Sequence, residues 1–198
     1  MDADAWNARY ATRDFVWSVE PNVFVERHCR ELEPGDAIDL AAGECRNAVW
    51  LAGRGWRVTA VDFSSVALDK GRRLAEQAGV EVTTVEADVR TWEPDGAVDL
   101  VVVAYLQLPT TERLAVLGRL PGWLRPGGTL VLVAHDRTNI EHGWGGPPDP
   151  DVCYELDETV AALTGLDVQV AEVAERSVAT PDGERIALDT LVVAHRPT

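Results

Sequence analysis

Three aspartates stand at or near the ends of short apolar runs: Asp39 in Ala37-Ile38-Asp39-Leu40-Ala41, Asp62 after Val58-Thr59-Ala60-Val61, and Asp88 after Glu86-Ala87. An ionised aspartate can only accept hydrogen bonds. Singly, each would serve as a helix cap or a loop carboxylate. In the order Asp39, Gly43, Asp62, Asp88 they read as one binding site. Gly43 stands alone in its turn, whereas a dinucleotide fingerprint needs three glycines to bring the backbone onto a pyrophosphate. Two further groups follow apolar runs. Tyr105 and Gln107 come after Val98–Ala104, and His135 with Asp136 comes after Thr129–Ala134. Histidine is the commonest general base, so His135 is the candidate proton acceptor and Asp136 its candidate orienting partner.

The elements that must position these groups alternate strand and helix, the signature of a parallel sheet. Strands are expected at 37–41, 57–62, 82–86, 98–104 and 129–134. Helices are expected from about Arg46 to Gly53, from Ser64 or Ser65 to Gly79, and from Thr110 to Leu120. The run 98–104 is almost continuously apolar, as for a central strand covered on both faces. Residues 137–153 hold four glycine or proline pairs and singles from Gly143 to Pro150, a long loop of the kind that closes sites. A helix near 157–163 and two strands, about 166–173 and 186–194, end the chain, with Asp182-Gly183 as the turn between them. Parallel units ending in an antiparallel hairpin give a mixed sheet. Residues 1–31 read as two helices, the second starting at Pro21. In a doubly wound sheet, ligands bind beyond the carboxyl ends of the strands. Residues 39–47, 62–64, 87–89, 104–108 and 134–137 are therefore expected around one crevice.

The 198 residues suffice for one domain. With 18 basic and 33 acidic residues the net charge is −15, which disfavours nucleic acid and anionic membrane surfaces as partners. No apolar run reaches membrane-spanning length, and the acidic, aromatic start is unlike a signal peptide, so a cytoplasmic location is expected. Cys29, Cys45 and Cys153 fit no zinc spacing and read as free thiols, with no metal expected. Arg72-Arg73 reads as a solvated helix face, and Glu44 as solvated.

The segments Asp39-Leu-Ala-Ala-Gly43-Glu-Cys-Arg46-Asn47, Val61-Asp62-Phe63-Ser64, Glu86-Ala87-Asp88-Val89 and Leu124-Arg125-Pro126-Gly127-Gly128 resemble the successive motifs of class I S-adenosylmethionine-dependent methyltransferases. The resemblance covers about residues 33–198. The Gly43 to Asn47 turn, the Gly/Pro loop and the Asp182-Gly183-Glu184-Arg185-Ile186 hairpin are more narrowly similar to the tellurite-resistance and thiopurine methyltransferase branch. It implies a single doubly wound, Rossmann-like α/β domain with a mostly parallel seven-stranded sheet over 32–198. An N-terminal helical lid, 1–31, would be part of the same domain.

The resemblance also implies roles. Asp39, Ala41 and Gly43, with Arg46 and Asn47 opening the next helix, would sit by the methionine moiety of S-adenosylmethionine. Asp62 would accept from the ribose hydroxyls, Phe63 would lie on the adenine face with Ser64 beside it, and Asp88 and the Val89 N–H would read the adenine edge. Ala104 and Tyr105 would border the methyl group. Trp6, Arg9, Tyr10, Phe15 and Trp17 are too many aromatic and basic groups for a polar surface helix. They suggest the lid, with Arg9 and Trp17 at the cofactor and Arg9 pairing its carboxylate.

One position departs from the pattern. Cys45 stands where the family has a second glycine, whose lack of a side chain lets the backbone approach the ligand. The thiol would either crowd the cofactor or turn aside. At a helix N-terminus its pKa would be lowered, which suggests redox gating. On the acceptor side, His135, Tyr105 and Arg185 are the candidate catalytic residues, and His142 and Trp144 would close the pocket. His28, His195 and Asp99 read as structural or solvated. The expected chemistry is methyl transfer to a small-molecule acceptor such as a thiol or chalcogen oxyanion, by a monomer or homodimer. A non-catalytic cofactor-binding regulator and an NAD-linked oxidoreductase are the alternatives.

Overall fold

The structure is a computed structural model that describes residues 3–12, 14–16 and 18–198. Two helices come first, α1 (Ala3–Tyr10) and α2 (Val23–Cys29). Then follow β1 (Asp36–Leu40), α3 (Arg46–Ala52), β2 (Arg57–Asp62), α4 (Ser65–Ala78), β3 (Thr83–Glu86) and β4 (Val98–Ala104). The second half holds α5 (Thr110–Leu117), α6 (Leu120–Trp123), β5 (Leu124–His135), α7 (Asn139–His142), α8 (Leu156–Ala162), β6 (Asp167–Thr180) and β7 (Gly183–His195).

The seven strands form one sheet in the order β3-β2-β1-β4-β5-β7-β6. β1 to β5 are parallel, and β7 runs antiparallel to both β5 and β6. The chain winds outward from β1 to β3, then returns to β4. The switch point therefore lies between the carboxyl ends of β1 and β4, where Leu40 pairs with Val103.

Alternation along the central strands feeds two apolar layers. Ala37, Leu100, Val102, Val131 and Val133 face Phe24, Val25, Ala48, Leu51 and Leu68 of α2, α3 and α4. Ile38, Leu40, Val101, Val103, Leu130 and Leu132 face Val116 and Leu117 of α5 and Leu163. Each fully buried aliphatic side chain contributes about 1.5–3 kcal/mol, so the centre of the sheet is the rigid platform of the site. Local signals set the ends of the elements. Asn22 caps α2, its side chain accepting from Phe24 and Val25 N–H. Ser64 caps α4 through Ala67 N–H, and Gly79 ends it in the left-handed region.

Three boundaries differ from expectation. β5 begins at Leu124 rather than Thr129, taking in Pro126-Gly127-Gly128 through a register shift opposite Val98–Leu100. The helix expected over 110–120 breaks at Gly118-Arg119 into α5 and α6. The closing hairpin is much longer than its apolar pattern. Arg176 to Thr180 and Gly183 to Leu188 extend past the end of β5, where His135 pairs with Asp189, so apolar alternation is not demanded there. The turn falls at Pro181-Asp182, one residue earlier than expected, because Gly183 already pairs with Thr180 as the first residue of β7. The Gly/Pro loop contains α7 and a short 3-10 turn, Pro150–Val152. Asp99 is structural, accepting from Asp36 N–H at 2.8 Å and pairing with Arg125.

Candidate active site

Asp39, the penultimate residue of β1, has only 1% of its surface exposed. Its Oδ2 accepts from Ala48 N–H of α3 at 3.0 Å, while the buried Oδ1 has no hydrogen-bond partner. Burial pushes this carboxyl up to about 7. An ionised carboxylate with one orphaned oxygen is a poor resting arrangement. A cationic group brought by a ligand would supply the missing partner. The turn above it bends through Ala41 (φ 57°), Gly43 (φ 53°) and Cys45 (φ 61°). At Gly43 a β-carbon would lie 2.7 Å from the Tyr10 hydroxyl, so a side chain there would be strained by φ and would have to displace Tyr10.

Asp62 ends β2. Its carboxylate accepts from Gly43 N–H and Ser64 N–H, both at 2.8 Å. These bonds tie the first two strand-end turns together and leave each oxygen a second lone pair. Burial is the main effect on its pKa, which is raised despite the backbone donors. Asp88, beyond β3, is partly exposed and gripped by Arg90 from Nε and Nη2, which holds its carboxyl below the usual range. Phe63 is half-buried, Ser64 is buried and Val89 lies in the core. Arg46 and Asn47 open α3, and Asn47 Oδ1 accepts from Asn22 N–H at 2.9 Å. Arg46 is mostly buried, close enough to Asp39 and Tyr105 to feel both charges, and desolvation lowers its pKa.

Cys45 turns aside. Its thiol packs between α3 and α4 against Gly71, where a β-carbon would overlap the sulfur. The expectation of a lowered thiol pKa is corrected, because burial raises it, reinforced by Asp39 and Asp62. Redox gating at Cys45 thereby loses its chemical basis. Glu44 is also corrected from solvated to buried. It pairs with Lys70 at 2.9 Å, with side chains 4% and 5% exposed. Both Glu44 oxygens accept from Val16 N–H at 2.9 and 3.0 Å, and Lys70 Nζ donates to Tyr10 C=O at 2.6 Å. Asn7 Oδ1 accepts from Ser64 Oγ at 2.7 Å. Asn7, Tyr10 and Val16 are thus fastened to α4 and to the Gly43 turn. Arg9 is exposed with its guanidinium 5.1 Å over the Trp6 ring. Trp17 lies outside the described residues.

A second cluster of polar side chains is built from five distant segments. Tyr105 follows β4 and Ala104, with φ 59°. Its hydroxyl donates to Asp189 Oδ2 at 2.9 Å and accepts from Asn22 Nδ2 at 3.1 Å. Burial and then Asp189 raise its pKa, so the hydroxyl keeps its proton. His135 ends β5, its ring 4.7 Å from that of Tyr105. Asp136 does not orient it. That carboxylate turns away to Thr138 N–H and Oγ1 and to Thr190 Oγ1. The carboxylate beside His135 is Asp189 of β7, 3.2 Å from Nδ1, with Arg176 Nε of β6 at 2.7 Å on its other oxygen. Asn22, Arg176 and Asp189 were not singled out in the sequence. Their meeting depends on the registers of the closing hairpin, and only the pairing His135–Asp189 could have revealed it.

The remaining candidates lie further out. Arg185 is exposed on the hairpin overhang, 5.3 Å over the Trp144 ring. Trp144 and His142 are exposed, and Gln107 is half-buried without a contact that assigns it a role. The three cysteines are buried and free, and no described helix is long and apolar enough to cross a membrane. The non-glycine residues of positive φ among those described, Ala41, Cys45 and Tyr105, all border the crevice. Such strain gathers at functional sites.

Residues 37–128 match the family model for a methyltransferase domain. The chain is 38% identical over 106 residues to a demethylmenaquinone methyltransferase of Thermus thermophilus, covering 52% of this chain and 48% of that protein. It is 28% identical over 206 residues to a thiopurine S-methyltransferase of Xanthobacter autotrophicus, covering 98% of this chain and 91% of that protein. The chain spans about half the length of the Thermus protein, and less than half of other relatives it matches. The fold is similar to that of the N-methyltransferase NodS from Bradyrhizobium japonicum, solved with S-adenosyl-L-homocysteine. That match has a TM-score of 0.73 and 18% identity, and covers 99% of this chain and 98% of that one. With the sheet order, the strand-end aspartates and these relatives in agreement, the chain belongs to the class I S-adenosylmethionine-dependent methyltransferases.

Proposed function

We propose that the chain transfers the methyl group of S-adenosylmethionine to a small-molecule nucleophile, a thiol, chalcogen oxyanion or similar group. The observation that carries this is Asp39, a buried carboxylate with an orphaned oxygen under the Gly43 turn, next to a wall of polar side chains. That oxygen suits the ammonium of the cofactor's amino-acid end. Arg46, and Arg9 after moving off Trp6, are the guanidiniums within the site's reach for its carboxylate. Asp62 keeps lone pairs for the ribose hydroxyls, Phe63 offers a face to adenine, and Asp88 with Val89 N–H reads its edge. Ala104 and Tyr105 border the methyl group.

When bound, the cofactor supplies an electrophilic methyl on a sulfonium leaving group. The chain's task is to hold a nucleophile in line with it, and such positioning can supply about 7–11 kcal/mol of the barrier. The net charge of −15 favours a small acceptor over a polyanion. We read segment 1–31 as a lid over the cofactor, and the protein as cytoplasmic and monomeric or homodimeric. Calorimetry with S-adenosylmethionine, S-adenosylhomocysteine and NAD, followed by S-adenosylhomocysteine release with thiols, oxyanions and phenols, tests the reading. Binding of the two adenosyl compounds and release with one acceptor class is expected. Binding of NAD alone, or no release with any acceptor, overturns it. Deleting residues 1–17 is expected to weaken cofactor affinity, and unchanged affinity would sink the lid.

A further inference from the structure

We infer that Asp189 is a positioning residue that fixes His135 as proton acceptor for a nucleophile arriving protonated, an S–H or phenolic O–H compound. This deepens, and rests on, the methyl-transfer reading.

The hydrogen-bond directions follow from one amide. Asn22 Oδ1 is occupied in capping α2, accepting from Phe24 N–H at 2.9 Å. Its Nδ2 must therefore donate to the Tyr105 oxygen, 3.1 Å away. The Tyr105 proton is then directed to Asp189 Oδ2, at 2.9 Å, which also takes Arg176 Nε at 2.7 Å. Asp189 is wholly buried, and its other oxygen, Oδ1, has no directed partner. The atom nearest to completing it is His135 Nδ1, 3.2 Å away, out of line and likewise buried without a partner. A small turn of the ring satisfies both. A lone pair on Nδ1 would face a carboxylate, so the proton belongs on Nδ1 and the free lone pair on Nε2.

The ring has little freedom to do otherwise. Tyr105 lies against one side, and the Gly/Pro loop covers it at Gly146 (φ 79°), where a β-carbon would be 3.0 Å from His135 Cγ. The charged and titratable groups around this histidine are Asp189 from β7, Arg176 from β6 and Tyr105 after β4. Arg46 of α3 lies beyond Tyr105, and Asp136 is turned to Thr138 and Thr190. Although burial works against ionisation, the contacts to His135 and Arg176 hold Asp189 below the usual carboxyl range. It therefore stays anionic.

In the step assigned, the acceptor's S–H proton passes to His135 Nε2 and the bonding pair stays on sulfur. That pair forms the new C–S bond to the methyl carbon, while the pair of the broken bond remains on the cofactor's sulfur. The imidazolium then loses its proton to water.

The test uses the full chain with S-adenosylhomocysteine and nitrogen-15 histidine spectra, with His135→Gln giving the assignment. His135 is expected as the Nδ1–H tautomer in the wild type. Asp189→Asn should abolish the preference for Nδ1–H, with the two ring nitrogen resonances moving toward each other. An Nε2–H tautomer in the wild type, or the same tautomer balance in both proteins, overturns the positioning. If Asp189→Asn does not fold, the wild-type tautomer still decides. In turnover, Asp189→Asn should cut kcat at least tenfold for 2-mercaptoethanol with KM held, and far less for the more acidic thiophenol. Equal losses for the two thiols overturn the acceptor class. Absence of turnover in the wild type overturns the methyl-transfer reading and leaves the spectra to judge Asp189.

Discussion

The two sides of the crevice are built in different ways. On the proposed cofactor side, Asp39, Gly43 and Asp62 lie within 24 residues, Asp39 held by Ala48 N–H and Asp62 by Gly43 N–H. On the proposed acceptor side, Asn22, Tyr105, His135, Arg176 and Asp189 come from five segments; strand pairing sets His135 opposite Asp189, and side-chain contacts complete the cluster. A backbone-held site tolerates many neighbours but few changes of conformation. A side-chain-held site can be rewritten one residue at a time. The first side is suited to an invariant ligand and the second to a variable one.

The largest test of this contrast is the Glu44–Lys70 pair. Lys70→Met leaves a buried carboxylate uncompensated, which costs about 3–5 kcal/mol. A fall in Tm and faster proteolysis within residues 3–16 are expected, and an unchanged Tm would refute the fastening. Next is Asp39→Asn, which should weaken S-adenosylmethionine at least about 100-fold by calorimetry. It should preserve or raise Tm, because a poorly solvated carboxyl is removed. A lower Tm with unchanged affinity would make Asp39 merely structural. Third, Gly71→Ala should destabilise by about 1–3 kcal/mol through its clash with Cys45. In a Cys45→Gly background the same change should be neutral or favourable, since alanine is the better helix former. Denaturant melts of the four proteins measure the coupling.

The smallest effect is in pH. Folded Asp39 keeps its proton up to about 7, whereas an unfolded chain releases it near 4. The folded state binds the extra proton in that window, so Asp39's contribution to stability falls as pH rises from about 4 to 7. A ligand cation favours the ionised form. Cofactor affinity should therefore rise with pH up to about 7, with proton release visible as buffer-dependent heats. Buffer-independent heats at pH 6 would argue against a cation at Asp39. By contrast, Asp189→Asn should leave cofactor affinity nearly unchanged, and a large loss there would erase the distinction between the two sides.

The same contrast explains what the sequence could reveal. Strand-end aspartates, a glycine turn and apolar runs are local patterns, so β1 to β4 were legible to within a residue, and the residues proposed for the cofactor lie together at the carboxyl ends of those strands. Asp189 sits in a run, Ala187-Leu188-Asp189-Thr190, that carries no local mark, and its importance comes from lying opposite His135. Asp136 was the reasonable neighbour in sequence, but adjacent residues on a strand point to opposite faces. Glu44, read as solvated, pairs with Lys70 26 residues away, and no local pattern marks that pairing. Cys45 looked like damage to the turn until Gly71 was found beneath it. Side-chain volume that the turn gained was given up by the helix.

The closing hairpin has a consequence for how such a protein changes over generations. Residues 176–188 overhang the sheet, tied to it by Asp189, by Asn139 Oδ1 accepting from Leu188 N–H at 2.7 Å, and by the Trp144–Arg185 contact. Because side chains alternate with a period of two, residues can be added to or removed from its tip in matched pairs without disturbing the facing of Arg176 or Asp189. The hairpin is thus a cassette whose length can drift while its base stays anchored, so its reach beyond the sheet and the side-chain chemistry at its base can vary independently.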